Sequence, residues 1–145
     1  MAQTARQPAI RFSNPATLAP PPGYSNVVEI SGGRIIFIAG QVALDAEGNL
    51  VGKGDFEAQA DQVFRNLSAG LASVGCTAGN LVKLTVFVRD MGEVAAYRRA
   101  RNRFFAACDP PAAPAVTLVE VSRLFAEDFL IEVEAIAAAD AHADE

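Results

Sequence analysis

The sequence predicts an α+β fold in which two helices pack on one face of a mixed β-sheet. The first indication is the order of the predicted elements, which is strand, strand, helix, strand, helix, strand, strand. The second is that both helical segments carry an apolar stripe, which a sheet of about four to six strands can bury on one face. The chain has 145 residues, 51% of them hydrophobic and 20% charged, so we expect one domain with a substantial core.

The N-terminal part of the chain is expected to be a tail or loop as far as residue 19. Residues 13–25 contain four prolines, which remove backbone donors and fix φ, so an extended loop is favoured over a helix. A pair of strands is predicted next, at 27–30 and 34–39. Ser31, Gly32 and Gly33 between them are typical of a turn. A brief edge strand is predicted at 50–51.

The first helix is predicted over residues 55–74. Asp55 is a suitable N-cap, and Gly75 is a suitable C-terminal stop. The apolar residues of this segment recur at intervals of three and four, so they share one face of the helix: Phe56, Ala60, Val63, Leu67, Leu71 and Val74.

The second half of the chain is predicted to contain a strand at 81–88, a helix that begins at Asp90, and strands at 115–121 and 130–137. Asp90 and Glu93 form a capping-box pattern, and the Asp-Pro-Pro sequence at 109–111 ends the helix. This helix carries a basic cluster, which is interpreted as a solvated helix surface: Arg98, Arg99, Arg101 and Arg103.

One face of the predicted sheet has no helix to cover it. Thr85, Phe87, Val116 and Leu118 are expected on this second face. A sheet that is apolar on both sides, with helices for only one of them, predicts self-association through the uncovered face. The residues themselves therefore indicate an oligomer.

Composition and charge argue against several classes of protein. The net charge is −5 with no basic stripe, which argues against nucleic-acid binding. The N-terminus has no apolar signal core and no run is long enough to span a membrane, so a cytoplasmic location is expected. Cys76 and Cys108 are expected as small buried or semi-buried residues rather than a disulfide. The single histidine, His142, lies in the acidic end of the chain, so neither a Cys-His nucleophile pair nor a histidine metal site is expected.

Four segments, in order and at matching spacing, resemble the signatures of the YjgF/RidA family: residues 34–41, 79–90, 118–124 and 131–137. The resemblance covers residues 20–138 and leaves 139–145 as an acidic C-terminal tail. It implies a chorismate-mutase-like fold and a homotrimer with ligand clefts between subunits. It also implies hydrolysis of a small enamine or imine, in the best-known members a 2-imino acid, to the keto compound and ammonia. No cofactor, metal, nucleic acid or membrane is implied.

The resemblance assigns candidate site residues to this chain. Glu132 is similar to the family carboxylate that holds the attacking water, a role that suits a general base. Tyr24 is similar to a pocket tyrosine, and Gly40 to a glycine whose backbone lies near the ligand. Two alternatives remain open at this point. Glu132 and Glu134 share a strand face that could simply be solvated, and Tyr24 could anchor a loop.

The chain departs from the family pattern where the substrate carboxylate is expected to bind. The family arginine position is Val116, the family cysteine position is Leu118, and a common serine is replaced by Ala39. An apolar residue at position 116 predicts a substrate without a carboxylate at that point, because the charge would be left unpaired. Arg123 could replace the lost cation, or it could form a structural ion pair.

Three functions therefore remain open at this stage. The first is an enamine or imine hydrolase. The second is a non-catalytic small-molecule-binding or chaperone-like trimer on the same scaffold. The third is an endoribonuclease or translation inhibitor, against which the acidic balance and the lack of a general-acid histidine both argue.

Overall fold

A computed structural model of the chain describes residues 9–109 and 111–141. In order along the chain, its elements are β1 (Ala9–Ser13), β2 (Val27–Ser31), β3 (Arg34–Gln41), α1 (Phe56–Ala72), β4 (Leu81–Val88), α2 (Val94–Phe105), β5 (Ala115–Glu120) and β6 (Ile131–Ala139). Four strands form a mixed sheet in the order β3-β6-β4-β5, in which β4 and β5 are parallel and the other pairs are antiparallel. The predicted α+β fold is confirmed. None of the helices in these two ranges has the length and apolar character needed to cross a membrane.

The first two strands form a separate antiparallel ribbon. The expected pairing of the strands at 27–30 and 34–39 was therefore wrong, because β2 pairs with β1 while β3 pairs with β6. Gly32 and Gly33 have φ angles of 79° and 80°, and the chain passes from one sheet to the other between them. Strand β1 lies in the segment that was expected to be a tail or loop to residue 19. Residues 1–8 and 142–145, including His142, lie outside the described residues.

The helix termini follow from short side-chain caps. The Asp55 carboxylate accepts a hydrogen bond from the Ala58 amide at 3.1 Å and caps α1 as predicted. The second helix differs from the prediction in its first turn. A short 3₁₀ turn at Met91–Glu93 precedes α2. The Asp90 carboxylate accepts a hydrogen bond from the Gly92 amide at 2.8 Å, so Asp90 caps this 3₁₀ turn and not α2 itself.

The hydrophobic core lies between the two helices and one face of the four-stranded sheet. The fully buried members of β4 are Leu81, Leu84, Val86 and Val88, and they belong to the same core cluster as the buried stripe of α1. Every second residue at the start of β6 is also buried, namely Ile131, Val133 and Ala135, so their side chains point to the helix-covered side of the sheet. The core therefore uses one side of the sheet only.

An ion network on the outer surface joins the two helices. Arg99 Nε donates to Glu57 Oε1 at 3.0 Å, and Arg103 Nη2 lies 3.0 Å from both Glu57 Oε1 and Asp61 Oδ1. Hydrogen bonds from Arg99, and then from Arg103, hold the pKa of Glu57 below its ordinary value. The basic cluster of α2 is therefore not uniformly solvated, because two of its arginines pair with α1.

The other side of the sheet, called the open face below, has no helix against it. Phe37 is 76% exposed and Ile35 58% exposed on β3. Lys83, Thr85 and Phe87 of β4 and Glu132, Glu134 and Ile136 of β6 lie on the same side by register. The open face therefore presents large apolar side chains together with two carboxylates and one cation.

The expectation that Val116 and Leu118 lie on the open face was wrong. In the parallel pairing of β4 with β5, Leu84 is opposite Val116 and Val86 is opposite Leu118. Residues opposite each other in register share a face, so both side chains pack against the helix-covered core. Thr117 and Val119 take the open face instead. A shift of one residue in the phase of β5 accounts for the error.

Candidate functional site

The candidate active site is centred on Glu132 at a bulge in β3. Ile38 pairs with Ala135 and Gln41 with Val133, so three steps along β3 match two steps along β6. One extra residue is therefore accommodated at Ala39 and Gly40. A bulge of this kind bends a strand and redirects neighbouring side chains, and such bulges are common beside active sites.

The Glu132 side chain lies against the backbone of Gly40. A β-carbon at position 40 would overlap Oε1 of Glu132 and lie 2.9 Å from its Cδ, so only glycine leaves room for the carboxylate in this position. Glu132 is half-buried and lies opposite Phe87 in register. Within residues 9–109 and 111–141 no cation pairs with it. An unpaired carboxylate on a half-buried face can accept a proton from a bound water molecule.

A concavity of about 510 Å³ lies on the open face, and Glu132 is not among the residues that line it. Glu134, two residues beyond Glu132 on the same side of β6, contributes to its lining. Lys83 also lines it, and its Nζ donates to Thr117 Oγ1 at 2.6 Å. The remaining lining is largely apolar: Phe37, Ile38, Ala39, Thr85, Ala135 and Ile136. A small molecule with apolar character would fit such a surface.

The start of β6 is fixed by a buried glutamine that the sequence analysis missed. Gln59 is fully buried in α1, and its Nε2 donates to the carbonyl oxygens of Asp128 at 2.9 Å and Gly52 at 3.2 Å. Its Oε1 accepts from the Leu130 amide at 2.9 Å. Gln59 therefore determines where the strand carrying Glu132 begins. The spacing in the sequence could have indicated that Gln59 is buried, because Gln59 lies three residues after Phe56 and therefore on the apolar stripe of the helix.

Tyr24 and Val116 belong to a different part of the molecule. The Ser25 amide donates to the Pro114 carbonyl at 3.3 Å, which brings the segment carrying Tyr24 to the start of β5. Tyr24 is half-buried and lines a second concavity beside α2. Val116 and Leu118 point to the helix-covered side, whereas Glu132 is on the open face. A single chain therefore brings Gly40 to Glu132, but does not bring Tyr24 or Val116 to them.

Arg123 lies in the exposed loop that follows β5. Val116 is near the first residue of that strand, and Arg123 is beyond its last. In the part of the chain that the structure describes, no carboxylate lies within ion-pair distance of Arg123. It therefore does not stand beside Val116 in the same chain.

Comparison with known proteins gives consistent matches over most of the chain. A family model described as Endoribonuclease L-PSP matches residues 14–139. A RutC family protein of Synechocystis sp. is 40% identical over 124 residues, which cover 85% of this chain and 88% of that protein. The 2-iminobutanoate/2-iminopropanoate deaminase of Escherichia coli K12 is 35% identical over 123 residues, covering 85% and 90%.

Solved structures resemble the chain in the same way. A conserved Rid family protein from Yersinia pestis matches with a TM-score of 0.80 at 35% identity, covering 89% of this chain and 98% of that one. The YjgF gene product of Escherichia coli matches with a TM-score of 0.66 at 33% identity, covering 86% and 91%. These matches confirm the resemblance drawn from residues 34–41 and 131–137, and the chain belongs to the YjgF/RidA family.

Proposed function

We propose that the protein hydrolyses a small enamine or imine, with Glu132 as the base that positions and deprotonates the attacking water. The observation that carries this proposal is the unpaired Glu132 carboxylate held against Gly40 at the bulge. The relatives named 2-iminobutanoate/2-iminopropanoate deaminase, 35% identical to this chain, support the same reaction class.

The reaction can be written with these residues alone. An enamine first takes a proton from solvent on its β-carbon and becomes the iminium form, whose C=N carbon is electrophilic. Water attacks that carbon, a C–O bond forms, the C=N π electrons move to nitrogen, and Glu132 takes a proton from the water. Glu132 then returns this proton to nitrogen. The C–N bond breaks with its electron pair leaving on ammonia, and the hydroxyl proton passes to solvent to leave the carbonyl product.

We also propose that the working form is a homotrimer whose subunits cover one another's open faces. Phe37 and Ile35 are too exposed, and too close to one another, for a solvated sheet face to be favourable. Assembly would also supply what one chain lacks, because Tyr24 of one copy could approach Glu132 of another across the seam.

Glu132→Gln tests the catalytic role. Imines are generated in situ by an amino acid oxidase, and their loss is followed by trapping with and without the protein. The turnover rate should fall by a factor of roughly 100 or more, since a positioned general base contributes about 10²–10⁴. Glu29→Gln is the control, because Glu29 is an exposed glutamate of β2 in the separate ribbon, and it should keep its rate. Unchanged turnover in Glu132→Gln would remove the proposed base.

The same experiment decides between the proposed hydrolase and the other functions. Tight binding of imines or amines with no turnover by the intact protein would identify a non-catalytic ligand-binding trimer. RNA cleavage that persists after repurification at high salt would favour the endoribonuclease description of the family model. The net charge of −5 argues against that outcome, because an acidic protein repels a phosphate backbone.

A further inference from the structure

Two arginines of α2, Arg98 and Arg101, have no acidic partner within residues 9–109 and 111–141, and of these two only Arg101 is half-buried. Arg99 and Arg103 pair with Glu57 and Asp61 of α1. Among the residues that the structure describes, no carboxylate lies within ion-pair distance of Arg101. Its Nη2 makes a single long hydrogen bond, to Asn102 Oδ1 at 3.4 Å. Arg101 is half-buried, and its remaining N–H donors have no acceptor among the side chains that the structure describes, so they are free to bind a ligand.

The Arg101 guanidinium is held in place by two neighbours. Its Cζ lies 5.7 Å from the ring centroid of Tyr97, whose side chain is 2% exposed. Burial raises the pKa of Tyr97, and the Arg101 charge opposes that shift. On the other side the loop at Gly23 approaches closely, since a β-carbon there would lie 2.7 Å from Nη2. Gly23 has a φ of 83°, so glycine suits the position for this reason as well.

The guanidinium faces a concavity of about 480 Å³. Tyr24 and Asn102 supply the other polar side chains of its lining. The rest is apolar or glycine: Pro21, Gly23, Phe105, Ala106, Pro111, Ala112 and Ala113. This lining contains no acidic residue and no second cation. A single planar cation in an apolar-walled recess suits a single carboxylate on an apolar body better than it suits a multiply charged phosphate.

We propose that Arg101 binds the carboxylate of a small organic acid in this concavity, with Tyr24 and Asn102 beside it. The arginine fork offers two parallel N–H donors to a carboxylate, and the prolines, alanines and Phe105 cover the apolar part of the ligand. This gives the chain a way to recognise an acid although Val116 occupies the family's arginine position. Only the further step, that this acid is the substrate hydrolysed at Glu132, rests on the proposed function.

The test uses phenylacetate as the probe and phenylacetamide, which has the same shape without the charge, as its neutral control. Affinities are measured by titration calorimetry on the full chain. The intact protein should prefer the acid to the amide by roughly tenfold to a hundredfold, the usual range for a hydrogen bond to a charged group. Arg101→Gln should remove that preference. Arg101→Lys should lower it to an intermediate value, because it keeps the charge but loses the fork.

Arg98→Gln is the matched control, since Arg98 is an exposed arginine of the same helix that does not line the concavity. It should leave both affinities unchanged. The proposal is overturned if the intact protein does not prefer the acid, or if Arg101→Gln binds phenylacetate as the intact protein does. Thermal unfolding shows whether each variant is folded. If Arg101→Gln does not fold, Arg101→Lys decides, and an undiminished preference for the acid in that variant also overturns the proposal.

A fourth variant separates this proposal from the proposed hydrolase. Glu132→Gln should lose imine turnover yet keep the preference for phenylacetate over phenylacetamide, because that preference is set by Arg101, and Glu132 does not line the concavity that contains Arg101. If the intact protein turns over no imine at all but its preference for phenylacetate depends on Arg101, the hydrolase proposal fails and the acid site stands.

Discussion

The carboxylate of Glu132 lies directly against the α-carbon of Gly40, across the bulge in β3. Gly40→Ala should therefore push the carboxylate out of position. We expect the turnover rate to fall at least about tenfold, whereas the free energy of unfolding should drop only slightly, because the displaced carboxylate is the end of a flexible side chain. Steady-state kinetics and urea unfolding measure the two effects. A variant with the original turnover rate would show that this contact does not hold the base.

Gly70→Ala is the matched control for that substitution. Gly70 lies within α1, and a β-carbon there would be 3.6 Å from Cγ2 of Ile38, an ordinary contact. Replacing a glycine inside a helix by alanine stabilises it by about 0.5–1 kcal/mol. The two glycine substitutions should therefore change stability in opposite directions, and only the one at position 40 should lower turnover.

Gln59→Leu should destabilise the protein strongly. The substitution preserves volume but leaves the Leu130 amide and the carbonyls of Asp128 and Gly52 without their partner. Each buried group left unpaired costs about 1–3 kcal/mol, so we expect the three together to lower the free energy of unfolding by at least about 3 kcal/mol in urea unfolding. Gln62→Leu is the comparison, since Gln62 is only half-buried and should cost less than about 1 kcal/mol. If both substitutions lower the free energy of unfolding equally, the buried hydrogen bonds of Gln59 do not account for its effect on stability.

Phe37→Asp should prevent self-association through the open face. The side chain is 76% exposed in the single chain, and a charge at that point would have to be buried in any sheet-to-sheet seam. Sedimentation velocity at micromolar concentration should show the intact protein as an oligomer and the variant as a folded monomer. Leu18→Asp changes an apolar residue that is 49% exposed in a loop away from the sheet, and it should remain assembled. A Phe37→Asp oligomer of unchanged size would contradict the proposed seam.

The ion network between the helices should make stability depend on pH through Glu57. Its pKa is lowered from the ordinary 4.5, first by the hydrogen bond from Arg99. A carboxyl whose pKa is lower when folded stabilises the fold above its unfolded pKa, and that contribution disappears as the pH falls through the folded pKa. The melting temperature of Glu57→Gln should therefore be below that of the intact protein at neutral pH, and the two should converge in acid.

The size of this effect should be small and sensitive to salt. The Arg99 and Arg103 side chains are 58% and 50% exposed, so water and ions screen the network. Added salt should narrow the difference between Glu57→Gln and the intact protein at neutral pH. A difference that persists in acid would assign the effect to lost packing instead.

Local pattern was enough to predict the main elements, but pairing between distant strands was not predictable from it. The apolar spacing in 55–74 gave α1 because a buried helix stripe has a fixed period. The glycines at 32 and 33 favoured a local hairpin between β2 and β3. In the structure β2 pairs with β1 and β3 pairs with β6, and no local pattern around the glycines indicates either partner. The face taken by Val116 depends on its register with β4, which a one-residue shift reverses and which composition does not reveal.

The candidate site was predictable to the same limited extent. The family resemblance named Glu132 and Gly40 as candidates without saying how they meet, and the bulge in β3 is what brings them into contact. The sequence does not distinguish the four arginines of α2 from one another, because all four belong to the same basic cluster. Their separation into Arg99 and Arg103, which are paired with α1, and Arg101, which is not, depends on where α1 and the Gly23 loop lie in space.

The position of Glu132 and Arg101 on opposite sides of one sheet has a genetic consequence. Suppose that each pocket contains Glu132 from one subunit and Arg101 from its neighbour. A chain with a defective Glu132 can then still contribute a functional Arg101 to a pocket that it shares with a chain of the other kind. Cells that co-express Glu132→Gln and Arg101→Gln chains would then recover activity that neither allele provides alone, as in intragenic complementation. Two alleles defective at the same position would show no such rescue.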